Sequence, residues 1–296
     1  MRFSPINILR KAAGATGNEA VIEHLTETMC FELVPLKNVD VQIAFLPPTS
    51  RISVTCSPAK GIAATQEITE RLVPLGHHPI PHISARLVTS ADHVRELAAW
   101  CKSLNLTEIF LVAGDAEQPG PYLDALSFLK DFLSHDHGLK RIGITAYPDG
   151  HALIERPVLQ KALHDKQAVL AEAGIGGWAS TQMCLDPTTI KTWLTAERGA
   201  GLTLPIHLGV PGVIDRTKLL TMGVRLGVGS SIRYAQKNRG ALGQLFSPGG
   251  YDPLQLLQPL SLSAEDLAIE ALHVFTFNNV EATAAWRQRV LDGPTD

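Results

Sequence analysis

Ile109-Phe110-Leu111-Val112-Ala113-Gly114-Asp115 is an apolar run of strand length that ends on a glycine turn and a carboxylate. An ordinary buried strand has no reason to finish on an ionisable group. Other runs in the chain finish in the same way. Cys30-Phe31-Glu32-Leu33 carries Glu32 near its end, Ile52-Ser53-Val54 leads to Thr55, and His78-Pro79-Ile80-Pro81 leads to His82. Ile142-Gly143-Ile144-Thr145-Ala146 leads to Tyr147, and Trp178-Ala179-Ser180-Thr181 leads to Gln182. In a parallel α/β barrel the carboxyl ends of the strands form one face, so such residues converge there. The pattern points to an enzyme site on that face.

Working outward, strand-like runs fall near 29–34, 51–56, 79–84, 107–113, 140–146, 177–183, 204–209 and 271–277. Helical patterns alternate with them near 60–75, 90–104, 122–134, 157–174, 187–199 and 213–222. Eight strands alternating with helices predict a (β/α)8 barrel in a single domain spanning 1–296, with a doubly wound open sheet as the alternative. Residues 1–28 read as an N-terminal helical extension, in which 5–28 form one or two helices that plug the bottom of the barrel. Residues 227–270 break the rhythm and read as an elaborated connection before the last strand, with a helix near 253–268. Capping chemistry agrees: Ser90 and Asp92 precede one helix face, and Asp186-Pro187 opens another.

A formal net charge of −3 gives no electrostatic reason to expect nucleic acid or an anionic membrane surface. No apolar run approaches the roughly 18 residues of a membrane span, and the start lacks a secretory apolar stretch. The four cysteines, Cys30, Cys56, Cys101 and Cys184, are widely separated, as expected of reduced thiols in a cytoplasmic protein. The eleven histidines form no His-x-x-x-His or His/Cys cluster, so no metal site is expected from spacing. Nor does a Gly-x-Gly-x-x-Gly open a helix after a strand. Gly227-Val228-Gly229-Ser230-Ser231 is either a flexible loop or a phosphate cradle.

Among candidate site residues, Glu32 shares a strand face with Cys30 and Val34. A carboxyl group in such an apolar pocket resists ionisation and suits a general acid. The plainer alternative is a salt bridge to Lys37. Gly114 permits close backbone approach to a ligand, and Asp115 beside it accepts hydrogen bonds from a ring or ribose, or caps its own turn. Ala146-Tyr147-Pro148-Asp149-Gly150-His151 offers an aromatic platform and an imidazole on a rigid turn.

Taken in order, these segments resemble the methylenetetrahydrofolate reductase family. Phe31-Glu32-Leu33-Val34-Pro35 is similar to its Glu-Phe-x-Pro-Pro strand, and Ala146-Tyr147-Pro148-Asp149-Gly150-His151 to its Ala-Tyr-Pro-Glu-Gly-His. Val54-Thr55-Cys56, Pro81-His82-Ile83-Ser84, Gly114-Asp115, Thr181-Gln182, Pro205-Ile206-His207-Leu208-Gly209 and Phe275-Thr276-Phe277-Asn278 follow in the same order, over about residues 29–279.

The resemblance implies reduction of 5,10-methylenetetrahydrofolate to 5-methyltetrahydrofolate, with NADH or NADPH as donor through bound FAD, feeding methyl groups toward methionine. Carried over, Glu32 protonates the folate nitrogen released as the methylene bridge opens. Asp115 tunes the pterin and flavin rings, and Gln182 holds the pterin edge. Thr55, His82, Gly114, Asp115, Tyr122, Ala146, Tyr147 and His151 match flavin-contacting positions, and Asn279 stands where the folate tail is held.

The departures from the family pattern fall on charge. Ala113 replaces an arginine, Leu170 falls where a lysine belongs with Lys166 a turn earlier, and Asn279 stands in place of another arginine. Without the charge-assisted hydrogen bond that each such cation makes, binding weakens by about 1.5–3 kcal/mol unless Lys60, Arg86 or Arg233 compensates. Three readings follow: an FAD-dependent reductase, a flavin-independent reductase taking hydride directly from NAD(P)H, and a tetrahydrofolate-binding or one-carbon methyl-transfer barrel. No nucleic-acid or membrane partner is expected, and a homo-oligomer is compatible with the chain.

Overall fold

Short β-rich segments alternate with helices along the chain, and the strands satisfy their backbone groups by pairing with one another. In the computed structural model, which describes residues 17–215, 217–219, 221, 246–247 and 250–293, they pair in parallel and close. The strands are β1 (Cys30–Leu33), β2 (Arg51–Val54), β3 (His78–Ser84), β4 (Glu108–Val112), β5 (Arg141–Ala146), β6 (Gly176–Thr181), β7 (Ile206–Pro211) and β8 (Ile269–Phe275). Each pairs with its sequence neighbour, and β8 closes on β1 through Cys30↔His273, Phe31↔Val274 and Glu32↔Phe275. Closure excludes the open-sheet alternative.

Around the barrel lie α1 (Gly17–Glu27), α2 (Val39–Ile43), α3 (Gly61–Leu72), α4 (Ala91–Ser103), α5 (Ala125–Phe132), α6 (Arg156–Glu172), α7 (Pro187–Gly199), α8 (Leu254–Ser261) and α9 (Val280–Asp292). Ser90, Asp124 and Asp186 cap α4, α5 and α7, accepting from the amides of His93, Ser127 and Thr188. None of the described helices is long and apolar enough to cross a membrane. No disulfide joins the four cysteines, and Cys30, Cys101 and Cys184 are buried.

Alternation along the strands divides the interior. Phe31, Leu33, Ile52, Val54, Ile109, Leu111, Ile142 and Ile144 point outward and pack under the helices in one continuous core. Cys30, Ile80, Phe110 and Trp178 point inward and form a separate apolar layer across the barrel axis. Gly143 makes room for that layer, because a Cβ there would lie 2.5 Å from the Phe110 ring and closer still to Trp178.

The amino-terminal end of the barrel is ionic. Glu108 accepts from Arg51 at 2.8 Å and lies 3.5 Å from Arg141. Arg141 also reaches Glu270 at 2.6 Å, and His207 Nε2 lies 3.0 Å from the same carboxylate. Trp178 stacks on His207 with centroids 4.9 Å apart, and the Arg141 guanidinium stands 5.2 Å from the Trp178 ring. Burial pushes His207 down to about 3, opposed by its hydrogen bond to Glu270. Burial would raise Glu270, but the bonds from His207 and Arg141 outweigh it and hold the carboxyl down at about 2. A neutral imidazole donating to a carboxylate satisfies both shifts.

Some sequence expectations shift here. The last strand starts at Ile269 rather than 271 and stops at Phe275, so the helix expected near 253–268 is confined to α8. Phe277 and Asn278 adopt left-handed φ values of 51° and 52°, which ends the strand. Asn278 Oδ1 accepts from the Val34 amide at 2.9 Å while Nδ2 donates to the Val34 carbonyl at 2.9 Å, tying the end of β8 to that of β1. In the segment expected to plug the barrel, α1 packs against α8, α9 and β8, and residues 5–16 lie outside the described residues. So do Gly227–Ser231, Arg233 and most of the first half of the 227–270 connection.

Gly143→Ala is expected to cost about 1–3 kcal/mol in chemical denaturation, because two rings of a filled layer must move; an unchanged midpoint contradicts the packing described. Between the unfolded values near 6.5 and 4.5 and the folded values near 3 and 2, His207 and Glu270 both bind fewer protons folded than unfolded. Stability is therefore present above these unfolded values and is lost as the pH falls. His207→Asn is expected to flatten the decline between pH 6.5 and 4.5, read from denaturation midpoints; an unchanged slope assigns it elsewhere.

Candidate functional site

Above the apolar layer, toward the carboxyl ends of the strands, the interior turns polar again. Phe31 and Leu33 face the outer core, so the alternation of β1 turns Glu32 inward, where it is 8% exposed. Its Oε2 lies 3.1 Å from Nε2 of His273 on β8, and its backbone carbonyl accepts from Thr276 Oγ1 at 2.5 Å. The expected alternative of a salt bridge to Lys37 is replaced by this inward pair. His82, on β3, is hydrogen-bonded through Nε2 to Ser53 Oγ of β2. The His82 and His273 rings stand 6.1 Å apart, each against Phe110, with Phe275 closing on His273 at 5.1 Å.

One ligand-type atom from each of Glu32, His82 and His273 lies within 4.8 Å of the others, and all three side chains are buried. Burial, and secondarily the neighbouring His273, holds His82 well below the ordinary histidine value. Two imidazoles and one carboxyl, walled by aromatic rings, can pass a proton along the Glu32–His273 contact or hold a cation.

The remaining predicted residues divide. Asp115 is exposed on the turn after β4, where Gly114 has φ 89° and a Cβ would collide with Ser84 Oγ. That position requires glycine. Tyr147 follows β5, and burial first, then the Asp115 charge, pushes its hydroxyl up. His151 meets the Tyr147 ring edge-on at 5.4 Å, its Nδ1 accepting from the Leu153 amide at 3.2 Å. Gln182 follows β6, its backbone amide bonded to the Ala146 carbonyl at 2.8 Å and its Oε1 taken by the Met183 amide at 2.8 Å. Thr55 Oγ1 is buried without a partner.

Other carried-over positions are committed to the protein itself. Tyr122 packs edge-on against Phe128 at 5.6 Å and its hydroxyl is bonded to Asp131. Ala146 is 2% exposed. Asn279 Nδ2 donates to the Val213 carbonyl at 2.8 Å, holding the turn after β7. His82 is turned into the interior as well. Arg86, one of the cations expected to compensate for Ala113, lies close to that residue along the backbone. The Arg86 backbone amide donates to the carbonyl of Ala113 at 3.0 Å, and its buried Nε has no partner.

Two residues of the site escaped the sequence reading, His273 and Ser53. Their signal was alternation: Ala271, His273 and Phe275 share one face of β8, as Arg51 and Ser53 do on β2. Neither of two sizeable cavities contains Glu32. One, of about 510 Å³, lies between α6 and α7 and reaches Ala146 and Tyr147; the other, of about 820 Å³, lies among α1, α8 and α9. Convergent polar groups mark the site better than volume does, because both cavities lie mainly among the outer helices and the first meets the strand ends at Ala146 and Tyr147, away from Glu32, His82 and His273.

No protein-family model matches the chain. Among solved structures, an uncharacterized protein from Clostridium thermocellum that binds two copies of 5-methyl-5,6,7,8-tetrahydrofolic acid superposes with a TM-score of 0.59. It is 15% identical, over 90% of this chain and 96% of that one. The likeness is one of fold. A putative phosphonomutase from Burkholderia cenocepacia, 10% identical over 94% of this chain and 100% of its own, gives a TM-score of 0.48.

In a histidine-labelled NMR titration, the His82 ring is expected to show no protonation step through the ordinary range near 6.5, because charging it inside the barrel is opposed by desolvation and by His273. A step at that ordinary value would place the ring in solvent.

Proposed function

We propose that this protein binds a reduced folate at the carboxyl-end mouth of the barrel and reduces its bound one-carbon unit, with NAD(P)H as the hydride donor. The carrying observation is the Glu32–His273 contact of 3.1 Å, a carboxyl and an imidazole facing each other inside the strand ends. A one-carbon bridge between two ring nitrogens opens only when the leaving nitrogen takes up a proton, and a buried acid in reach of that nitrogen supplies it. His273 fixes the carboxyl orientation and returns the proton after turnover. Asp115 and Tyr147, on neighbouring strand ends, border the position of the pterin ring, and Gln182 Nε2 is its edge donor.

Supporting this reading are the ordered motifs that resemble the methylenetetrahydrofolate reductases and a fold shared with a 5-methyltetrahydrofolate-binding protein. Direct transfer from the nicotinamide is favoured over an intervening flavin by the enclosure of Tyr122 and Ala146 in the packed interior. A nicotinamide supplies the hydride when bound, and the chain's own residues supply position and one proton. Arg86, bonded through its backbone amide to Ala113 and with an unpartnered buried Nε, is the cation available to an anionic group of the donor or of the folate tail.

Glu32→Gln keeps the shape and removes the acidic proton. Tryptophan-fluorescence titration with 5-methyltetrahydrofolate is expected to give near-unchanged affinity, while NAD(P)H oxidation with the methylene form falls by roughly 10²–10⁴-fold. Retained turnover removes Glu32 from the role. Loss of folate binding in the unmodified protein removes the substrate class. A flavin spectrum in the purified protein would replace direct transfer with the FAD-dependent reading.

A further inference from the structure

From the same interior cluster we infer a second capability, independent of folate: Glu32, His82 and His273 form a binding site for a divalent transition metal of the zinc class. The donor set is two imidazole nitrogens and one carboxylate oxygen, drawn from β1, β3 and β8, with one atom from each within 4.8 Å of the others. Borderline ions such as Zn2+ favour this mixture, and three protein ligands leave a position open toward solvent or substrate. Hard ions such as Mg2+ and Ca2+ favour all-oxygen cages instead.

The supporting shell is already built. Ser53 Oγ engages His82 Nε2 and fixes that ring, and Thr276 Oγ1 anchors the Glu32 backbone carbonyl at 2.5 Å. Phe110 and Phe275 wall the imidazoles against rotation. Such outer contacts orient the ligands of a metal site before the ion arrives. All three strands are held in register by the barrel ladder, so bringing the donors together requires side-chain adjustment and no backbone movement.

Binding would proceed by exchange. The ion replaces the hydrogen bond between Glu32 Oε2 and His273 Nε2, any proton held in that contact moves to the other imidazole nitrogen or to solvent, and no electron changes hands. Metal coordination and the Glu32–His273 hydrogen bond are therefore mutually exclusive uses of the same two atoms.

The test reads metal directly and needs no folate, so its failure and the failure of the proposed function are separable. Chelator-treated protein is titrated with Co2+, followed by its visible ligand-field absorption, and the bound ion is then displaced with Zn2+. A single saturable site is expected, with the bands of low-symmetry nitrogen and oxygen ligation. Glu32→Gln, His82→Gln and His273→Gln, each checked for native circular dichroism, should each weaken Co2+ by about 100-fold or more, at or beyond the outer-shell range. His164→Gln, on the outer helix α6, should leave it unchanged. No saturable binding overturns the inference. So does binding that survives all three substitutions, or an intense near-ultraviolet thiolate band placing the ion on cysteine.

Discussion

Closure of β8 against β1 is the constraint on which the rest of the structure depends. It places His273 beside Cys30 in the ladder and within 3.1 Å of Glu32, although the two residues lie at opposite ends of the chain. It also makes the barrel interior a finite volume from which no inward side chain escapes. Each must find a partner there: carboxylates with guanidiniums at one end, rings against rings in the middle, imidazoles with a carboxyl and a hydroxyl at the other. The Asn278 side chain, bonded to both the amide and the carbonyl of Val34, fastens that seam from the rim.

The strands were legible because their outward faces are apolar enough to bury under helices, and β5 and β6 fall within a residue or two of the expected ranges. Glu32 was legible for the opposite reason, as a charge in a run that has no use for one. His273 was not, since a single histidine in Ala271-Leu272-His273-Val274 looks like any buried ring until closure sets Glu32 beside it. Spacing rules look along the chain, and this cluster draws on strands far apart in it. The boundary error at β8 has a local cause. Ala268, Phe277 and Asn278 all take left-handed φ values although none is glycine, so tertiary packing sets turns that composition does not announce.

At the rim, residue identity travels less well than position. Tyr122 and Asn279 occupy places where the family resemblance assigns ligand contacts, yet each spends its polar group within the protein. Arg86 illustrates the converse. Ala113 carries no cation, but its carbonyl is bonded to the backbone of Arg86 on the neighbouring strand end. Charge at a given point in space is what an anionic ligand recognises, and different strands can deliver it.

The disc of Cys30, Ile80, Phe110 and Trp178 has one further implication. It insulates. Cys30, Ile80, Phe110 and Trp178 put no carboxylate, imidazole or hydroxyl into that layer, so they offer protons no relay between floor and chamber, although charges on both sides still act on the Cys30 thiol. The floor can therefore be rebuilt for acid or heat tolerance, by nature or by an engineer, while the chemistry overhead is left alone.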